Sequence, residues 1–315
     1  MTENELLLED RIAKIRSVVE KYGEENFYIS YSGGKDSNVL SSLVDLALPG
    51  NKMPRVYANT GIELNMIRDF VFDLQKKDDR VQVIKPSVPL KKMLEAEGYP
   101  FKSKHHSAMI MNFRSNPENK SAQKYRDRVY EFSSFNCPKK LQYQFDASFT
   151  LKISDRCCFR LKEEPLADWS KENNRPYAII GIMPEEEGRR KTAQCLAFKG
   201  KKLKAFQPLV VVTKEWENWF IKEYNVKIPD LYHPPYNFER TGCKGCPFTP
   251  RLKKELEALE TFFPDERKQC EIIWAPVYAE YRRLGYRLKP LSSECQVAIS
   301  GQLRFDENMN ITEEQ

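Results

Sequence analysis

The chain has 315 residues, 41% hydrophobic and 30% charged, which is enough to bury a core without disulfide staples and too apolar for wholesale disorder. Its formal net charge of +6 is mildly basic and does not by itself select a nucleic-acid partner. No apolar run approaches the roughly 20 residues of a membrane helix. Acids stand between Met1 and Asp10 where a secretory leader carries basic residues, so a cytoplasmic protein with no membrane partner is expected, its eight cysteines serving as thiols or ligands.

Leu8, Ile12, Ile15 and Val19 recur at helical spacing and predict a first amphipathic helix, ended by Gly23. Asn26 to Tyr31 reads as a short strand running straight into Ser32-Gly33-Gly34-Lys35-Asp36-Ser37. Val39, Leu40, Leu43, Val44 and Ala47 mark a second helix, stopped by Pro49-Gly50. Strands are predicted at Arg55–Asn59 and Val81–Ile84, with a helix carrying Met66, Ile67, Phe70, Val71 and Leu74 between them.

From Lys102 to Lys152 the chain is polar and reads as an insertion of helices and loops. Tyr177 to Ile182 is a buried strand, and Lys214 to Tyr224 a helix bearing Trp216 and Trp219. Glu255 to Arg287 is helical in tendency, interrupted at Pro264 and Pro276, and residues beyond Asp306 read as a frayed tail. Strand–helix alternation with short apolar strands predicts an α/β fold: a parallel twisted sheet with helices on both faces, plus a helical C-terminal extension. The expected division is a nucleotide-binding domain over residues 1–250, holding the insertion at about 102–152, and an extension over 251–315. In such sheets a ligand sits at the carboxyl ends of the strands.

The glycine-rich segment lies between a strand and a helix, where backbone amides and a helix N-terminus hold phosphate. Gly33 and Gly34 let the main chain approach an anion without a Cβ, Ser32 and Ser37 add hydroxyls, Lys35 adds a point charge, and Asp36 can hold Mg²⁺ or organise the loop. The Walker spacing is absent. The segment resembles the Ser-Gly-Gly-x-Asp-Ser pyrophosphate loop of the adenine-nucleotide α-hydrolase (PP-loop) superfamily, which includes ATP pyrophosphatases and the phosphoadenosine phosphosulfate (PAPS) reductase family. Asn59-Thr60-Gly61, followed by Ile62-Glu63, resembles the same group's segment after the second strand. The resemblance implies an adenine nucleotide bound by Ser32 to Ser37 together with Asn59, Thr60 and Gly61.

Cys157-Cys158 and Cys243-Lys244-Gly245-Cys246 are separated by 84 residues. Four thiolates suit zinc or an iron–sulfur cluster, and spacing does not choose between them. The paired cysteines with a distant C-x-x-C resemble the [4Fe–4S] arrangement of adenylylsulfate (APS) reductases, as do the flanking runs Arg156 to Leu166 and Thr241 to Pro247. That likeness implies a cluster on Cys157, Cys158, Cys243 and Cys246, with Arg156, Arg160 and Lys162 offsetting its charge. Cys137, Cys195 and Cys270 read as ordinary thiols. Cys295 follows Glu294, yet the Gly and His of the reductase family's terminal motif are missing, which puts a nucleophilic role in doubt.

Gly181 to Arg190 falls where the family has a Gly-x-Arg segment; Met183 replaces the first arginine, leaving Arg189 and Arg190 to contact the nucleotide. Lys102, Lys104, His105 and His106 form a basic patch whose histidines read as surface residues, and Lys199 to Lys204 reads as a solvated basic turn. Tyr232 to Tyr236 resembles the loop that positions the second cluster half. An intact glycine loop and the absent terminal motif favour ATP over APS or PAPS. The resemblance then implies ATP cleavage to AMP and pyrophosphate, with Lys35, Asp36, Arg189 and Arg190 as catalytic residues and Mg²⁺ on the phosphates. An adenylated acceptor, for example a nucleic acid, would take sulfur from a donor such as a cysteine desulfurase. The alternatives are an APS or PAPS reductase forming sulfite, and a non-catalytic regulator that binds nucleotide and cluster.

Overall fold

The computed structural model describes residues 1–132, 135–184 and 193–289, together with the backbone of 303–305 and 311–313. In chain order, α1 (Glu3–Tyr22) leads to β1 (Phe27–Tyr31), α2 (Lys35–Ala47), β2 (Arg55–Ala58), α3 (Asn65–Gln75) and β3 (Val81–Ile84). Four helices follow: α4 (Leu90–Glu97), α5 (Lys104–Ser115), α6 (Lys120–Asp127) and the single turn α7 (Arg156–Cys158). Then come α8 (Glu164–Glu172), β4 (Tyr177–Ile180), β5 (Leu196–Lys199), β6 (Lys202–Phe206) and α9 (Lys214–Glu223). The chain continues through α10 (Leu252–Phe262), α11 (Pro264–Ile273) and α12 (Ala275–Arg283) to the short pair β7 (Leu303–Phe305) and β8 (Ile311–Glu313). Among the described residues no helix is long and apolar enough to cross a membrane.

Two compact units emerge, Met1–Pro86 with Lys162–Thr241, and Ser87–Leu161 with Gly242–Gln315. The first holds a six-stranded sheet in the order β3-β2-β1-β4-β6-β5, parallel throughout except for the antiparallel β5–β6 edge. Strand periodicity sorts side chains onto two faces. Phe27, Ile29, Tyr31, Tyr57 and Ile179 share one core with α1, α2 and α9 residues such as Ile15, Leu43 and Trp216. Tyr28, Val56 and Ala178 point the other way, onto Trp169 of α8. Helices therefore cover both faces of the parallel sheet, as the alternation of apolar strands and helices predicts. The basic run Lys199 to Lys204 is the β5–β6 hairpin, turning through Gly200 at φ +61°. The α1 start is a capping box, in which Thr2 accepts from the Glu5 amide while Glu5 accepts from the Thr2 amide.

In the second unit the interrupting prolines act as helix starts, Pro264 opening α11 and Pro276 lying in the first turn of α12. His106 departs from its expected surface position: it is fully buried, with Nδ1 2.9 Å from Tyr125 Oη and Nε2 2.8 Å from Gln144 Oε1. The sequence hides this, because the basic neighbours Lys102, Lys104 and His105 mask an inward face of α5 that also buries Ser107 and Ile110. Burial pushes the His106 pKa down to about 4; the Gln144 contact acts upward and the charges of Lys102, His105 and Arg287 act downward.

The unfolded chain protonates this histidine near pH 6.5 and the folded one only near pH 4, so stability is present above pH 6.5 and is lost as pH falls between those values. Urea unfolding at pH 7.5 and pH 5 is expected to show a loss from this group of about 2 kcal/mol. In His106→Gln that component of the pH dependence should vanish; an unchanged slope would rule out His106 as its source.

Candidate functional site

The strand order reverses direction between β1 and β4, and the glycine segment leaves β1 at that switch. Gly33 sits at φ +73°, a left-handed conformation, and a Cβ there would lie 2.5 Å from Val71 Cγ2 of α3. Gly34, at φ −75°, caps α2 without a side chain. Asn38 ties the turn together, donating from Nδ2 to the carbonyls of Gly33 and Gly34 at 2.9 Å each, while Tyr31 Oη donates to its Oδ1 at 2.5 Å. Ser37 Oγ donates to the Gly34 carbonyl at 2.8 Å and lies 3.2 Å from Ser32 Oγ.

A Cβ on Gly34 would stand 3.1 Å from Thr241 Oγ1, 3.1 Å from Tyr232 Oη and 3.4 Å from Ser32 Oγ. Three hydroxyls thus face one glycine at the start of a helix. Tyr232 Oη and Thr241 Oγ1 are 2.6 Å apart, and the tyrosine hydroxyl accepts from the Lys35 amide. Tyr232 accordingly belongs to the glycine loop's own unit. The sequence likeness that assigns it to the second cluster half does not disclose this contact.

Lys35 Nζ lies 2.8 Å from Oε2 of Glu217, whose side chain on α9 is 1% exposed. The Glu217 carboxyl also lies against that of Asp36, and its Oε1 has no hydrogen-bond partner. Burial and the Asp36 charge push the Glu217 pKa up; Lys35 acts in the opposite direction. Glu217 escapes the sequence reading because α9 looks like an ordinary amphipathic helix. The available signal was an acid on its inward stripe, between Trp216 and Phe220.

After β2, Thr60 donates from its amide and its hydroxyl to the two oxygens of Glu63, at 3.2 and 2.7 Å, and the Gly61 amide donates to Asn59 Oδ1 at 3.2 Å. Gly61 takes φ +76°. Lys162 Nζ is 3.4 Å from Glu63 Oε1. Because β1 and β2 pair in parallel, this turn and the glycine loop stand at the same carboxyl edge of the sheet. Arg189 and Arg190 lie outside the described residues, as does Cys295.

The two cysteine pairs come from separate stretches of chain and fall in one unit, the second. Cys157 is raised far above the ordinary thiol range, first by its contact with Cys158, then by burial and by the charges of Cys158, Cys246 and Cys243. Cys246 is raised by burial and by Cys243, with Cys158 adding to it. The C-x-x-C turn is firmly built. Gly245 takes φ +59°, its amide donates to Glu255 Oε1 at 2.8 Å, and Trp274 Nε1 donates to the Lys244 carbonyl at 3.0 Å. Lys244 is buried against Glu266 at 3.1 Å. Arg156 and Arg160, beside the other pair, both engage Glu97.

Among the described residues no group of three or more His, Cys, Asp or Glu side chains is gathered to hold a single metal ion. The donor chemistry fits a cationic centre: Cys157 and Cys246, raised by burial and by the neighbouring sulfurs, become thiolates when positive charge neutralises them, which zinc or an iron–sulfur cluster would supply.

Residues 119–249 match the family model of the phosphoadenosine phosphosulfate reductase domain. Among solved structures the chain is similar to the phosphate complex of PAPS reductase from Candida auris, at 11% identity and a TM-score of 0.40, over 74% of this chain and 93% of that one. It is also similar to NH3-dependent NAD synthetase from Campylobacter jejuni subsp. jejuni NCTC 11168 in complex with the nitrate ion, at 14% identity and a TM-score of 0.38, over 93% of this chain and all of that one. No curated protein matches the chain significantly.

The two loop glycines make opposite demands. Gly33→Ala forces a Cβ into Val71 at a positive φ and is expected to cost about 1–3 kcal/mol of stability, read from the thermal midpoint. Gly34→Ala meets only hydroxyl groups and is expected to fold while weakening pyrophosphate binding at least tenfold by calorimetry. Unchanged pyrophosphate binding in Gly34→Ala would contradict a phosphate cradle at this point.

Proposed function

We propose, with the PAPS reductase domain of residues 119–249 as premise, that the protein is a nucleotide-binding enzyme of sulfur metabolism that cleaves ATP to AMP and pyrophosphate. The observation that carries the reading is the cradle at Gly34: a side-chain-free helix start at the sheet's switch point, faced by Ser32, Tyr232 and Thr241 hydroxyls and flanked by Lys35.

An acceptor oxygen attacks the α-phosphorus, the bond from that phosphorus to the α,β-bridging oxygen breaks, and pyrophosphate leaves with the electron pair. Charge grows on the departing pyrophosphate. In this proposal the Gly34 amide, the Ser32 and Ser37 hydroxyls and the Lys35 ammonium stabilise it. Asp36 would hold Mg²⁺, which would supply positive charge to offset that on those oxygens. Asn59, Thr60 and Gly61, at the same sheet edge, take the adenosine side of the nucleotide. Arg189 and Arg190 complete the anion contacts in this proposal on the strength of their sequence position.

Cys157, Cys158, Cys243 and Cys246 would hold a [4Fe–4S] cluster, which supplies iron centres able to bind sulfur. The terminal sulfur of a donor such as a cysteine desulfurase persulfide then attacks the acceptor atom that bears the adenylated oxygen, AMP leaves with that oxygen, and a thiol reductant cleaves the remaining sulfur–sulfur bond; a nucleic acid is the proposed acceptor and the cytoplasm the proposed location. The domain match itself favours a second reading, reduction of APS or PAPS to sulfite. That reaction needs a nucleophilic cysteine, for which Cys295 is the sequence candidate.

Anaerobically purified protein is expected to carry about four iron and four sulfide per chain, reduced by Cys157→Ser or Cys246→Ser. Incubated with ATP, Mg²⁺ and acceptor, it should release AMP and pyrophosphate, and Lys35→Ala should lower that rate by about 100-fold. Sulfite formed from APS or PAPS with thioredoxin, and lost in Cys295→Ser, would replace this reading with the reductase.

A further inference from the structure

We propose that Glu217 on α9 is the second carboxylate of a divalent-cation site that it forms with Asp36. The inference deepens the reading of the glycine loop as a polyphosphate cradle and rests on it.

Glu217 is buried beside the loop, with Lys35 Nζ 2.8 Å from its Oε2. If its task were only to hold the lysine, its other oxygen should have a donor or water access. Oε1 has neither, since it is buried and without a hydrogen-bond partner. Besides Lys35, the Asp36 carboxyl acts on it, and that group offers acceptors and no donor when ionised. Burying a carboxylate oxygen uncompensated is costly, and two carboxylates side by side repel one another.

One divalent cation between Glu217 Oε1 and Asp36 corrects both faults: it satisfies the orphaned oxygen and offsets the repulsion between the two carboxylates. Magnesium is held through one or two carboxylates, with waters and substrate phosphates filling the remaining positions. Two protein ligands are therefore sufficient, in keeping with the lack of any three-residue ligand group among the described residues. Lys35 stays on Oε2, orienting the carboxylate from behind as outer partners of metal ligands do.

The test is Mn²⁺ binding to the full chain without nucleotide, followed by electron paramagnetic resonance. Wild-type protein is expected to bind Mn²⁺ at a site that Glu217→Gln and Asp36→Asn each weaken at least tenfold. A Glu217→Gln affinity within twofold of wild type, or no site sensitive to Asp36→Asn, overturns the proposal and leaves a shared proton as the occupant of Oε1.

A second readout needs no change at Glu217. Infrared difference spectra of ¹³C-glutamate-labelled protein with and without Mg²⁺ should show a shifted carboxylate band that Asp36→Asn abolishes; an unshifted band overturns the proposal equally. ATP takes no part in either measurement. Intact Mn²⁺ binding without ATP cleavage would therefore count against the reaction proposed above and not against this site.

Discussion

Parallel pairing of β1 with β2 on one side and β4 on the other is the constraint on which the first unit depends. It buries β1 on both faces, so Phe27, Ile29 and Tyr31 feed one core while Tyr28 feeds the opposite one. It also places the ends of neighbouring strands at one edge. The glycine loop after β1 and the Asn59–Glu63 turn after β2 are brought together there by register, before any side chain of either is considered. Gly33 then lets the chain leave β1 at a positive φ against α3, and Asn38 holds the turn open by occupying the carbonyls of both glycines.

Among the described residues, each unit, taken by itself, brings acidic groups close together. In the first, Asp36 and the buried Glu217 share the single lysine of the loop. In the second, the neighbouring sulfurs raise the pKa of Cys157 and Cys246, while Arg156, Arg160 and Lys244 are engaged by Glu97 and Glu266. Ordinary structural ion pairs balance within the fold, as Arg55 and Arg80 do on Asp45, Asp78 and Asn51. At the glycine loop and at the constrained C-x-x-C turn, the proposed cation and cluster would offset that charge.

Much of this architecture is legible in the amino-acid sequence because it rests on local patterns. The apolar strands β1 to β4, the helices around them and the strand–loop–helix setting of Ser32 to Ser37 all follow from periodicity and glycine placement. The β5–β6 hairpin is less visible, since four lysines around Gly200 read as a solvated turn and conceal the strands on either side. His106, Glu217 and Tyr232 are missed for a shared reason. Each is polar, and each acquires its contact through a partner far along the chain: Gln144 for His106, Lys35 for Glu217, Gly34 for Tyr232. Sequence periodicity reports which face is inward and is silent on which polar group waits there.

The central claim is that the glycine loop recognises the pyrophosphate of ATP. Calorimetric titration of one protein preparation with ATP, AMP, APS and PAPS in the presence of Mg²⁺ tests it most directly. ATP binding at least tenfold tighter than AMP, APS or PAPS is the predicted result; APS or PAPS binding tighter than ATP would contradict it.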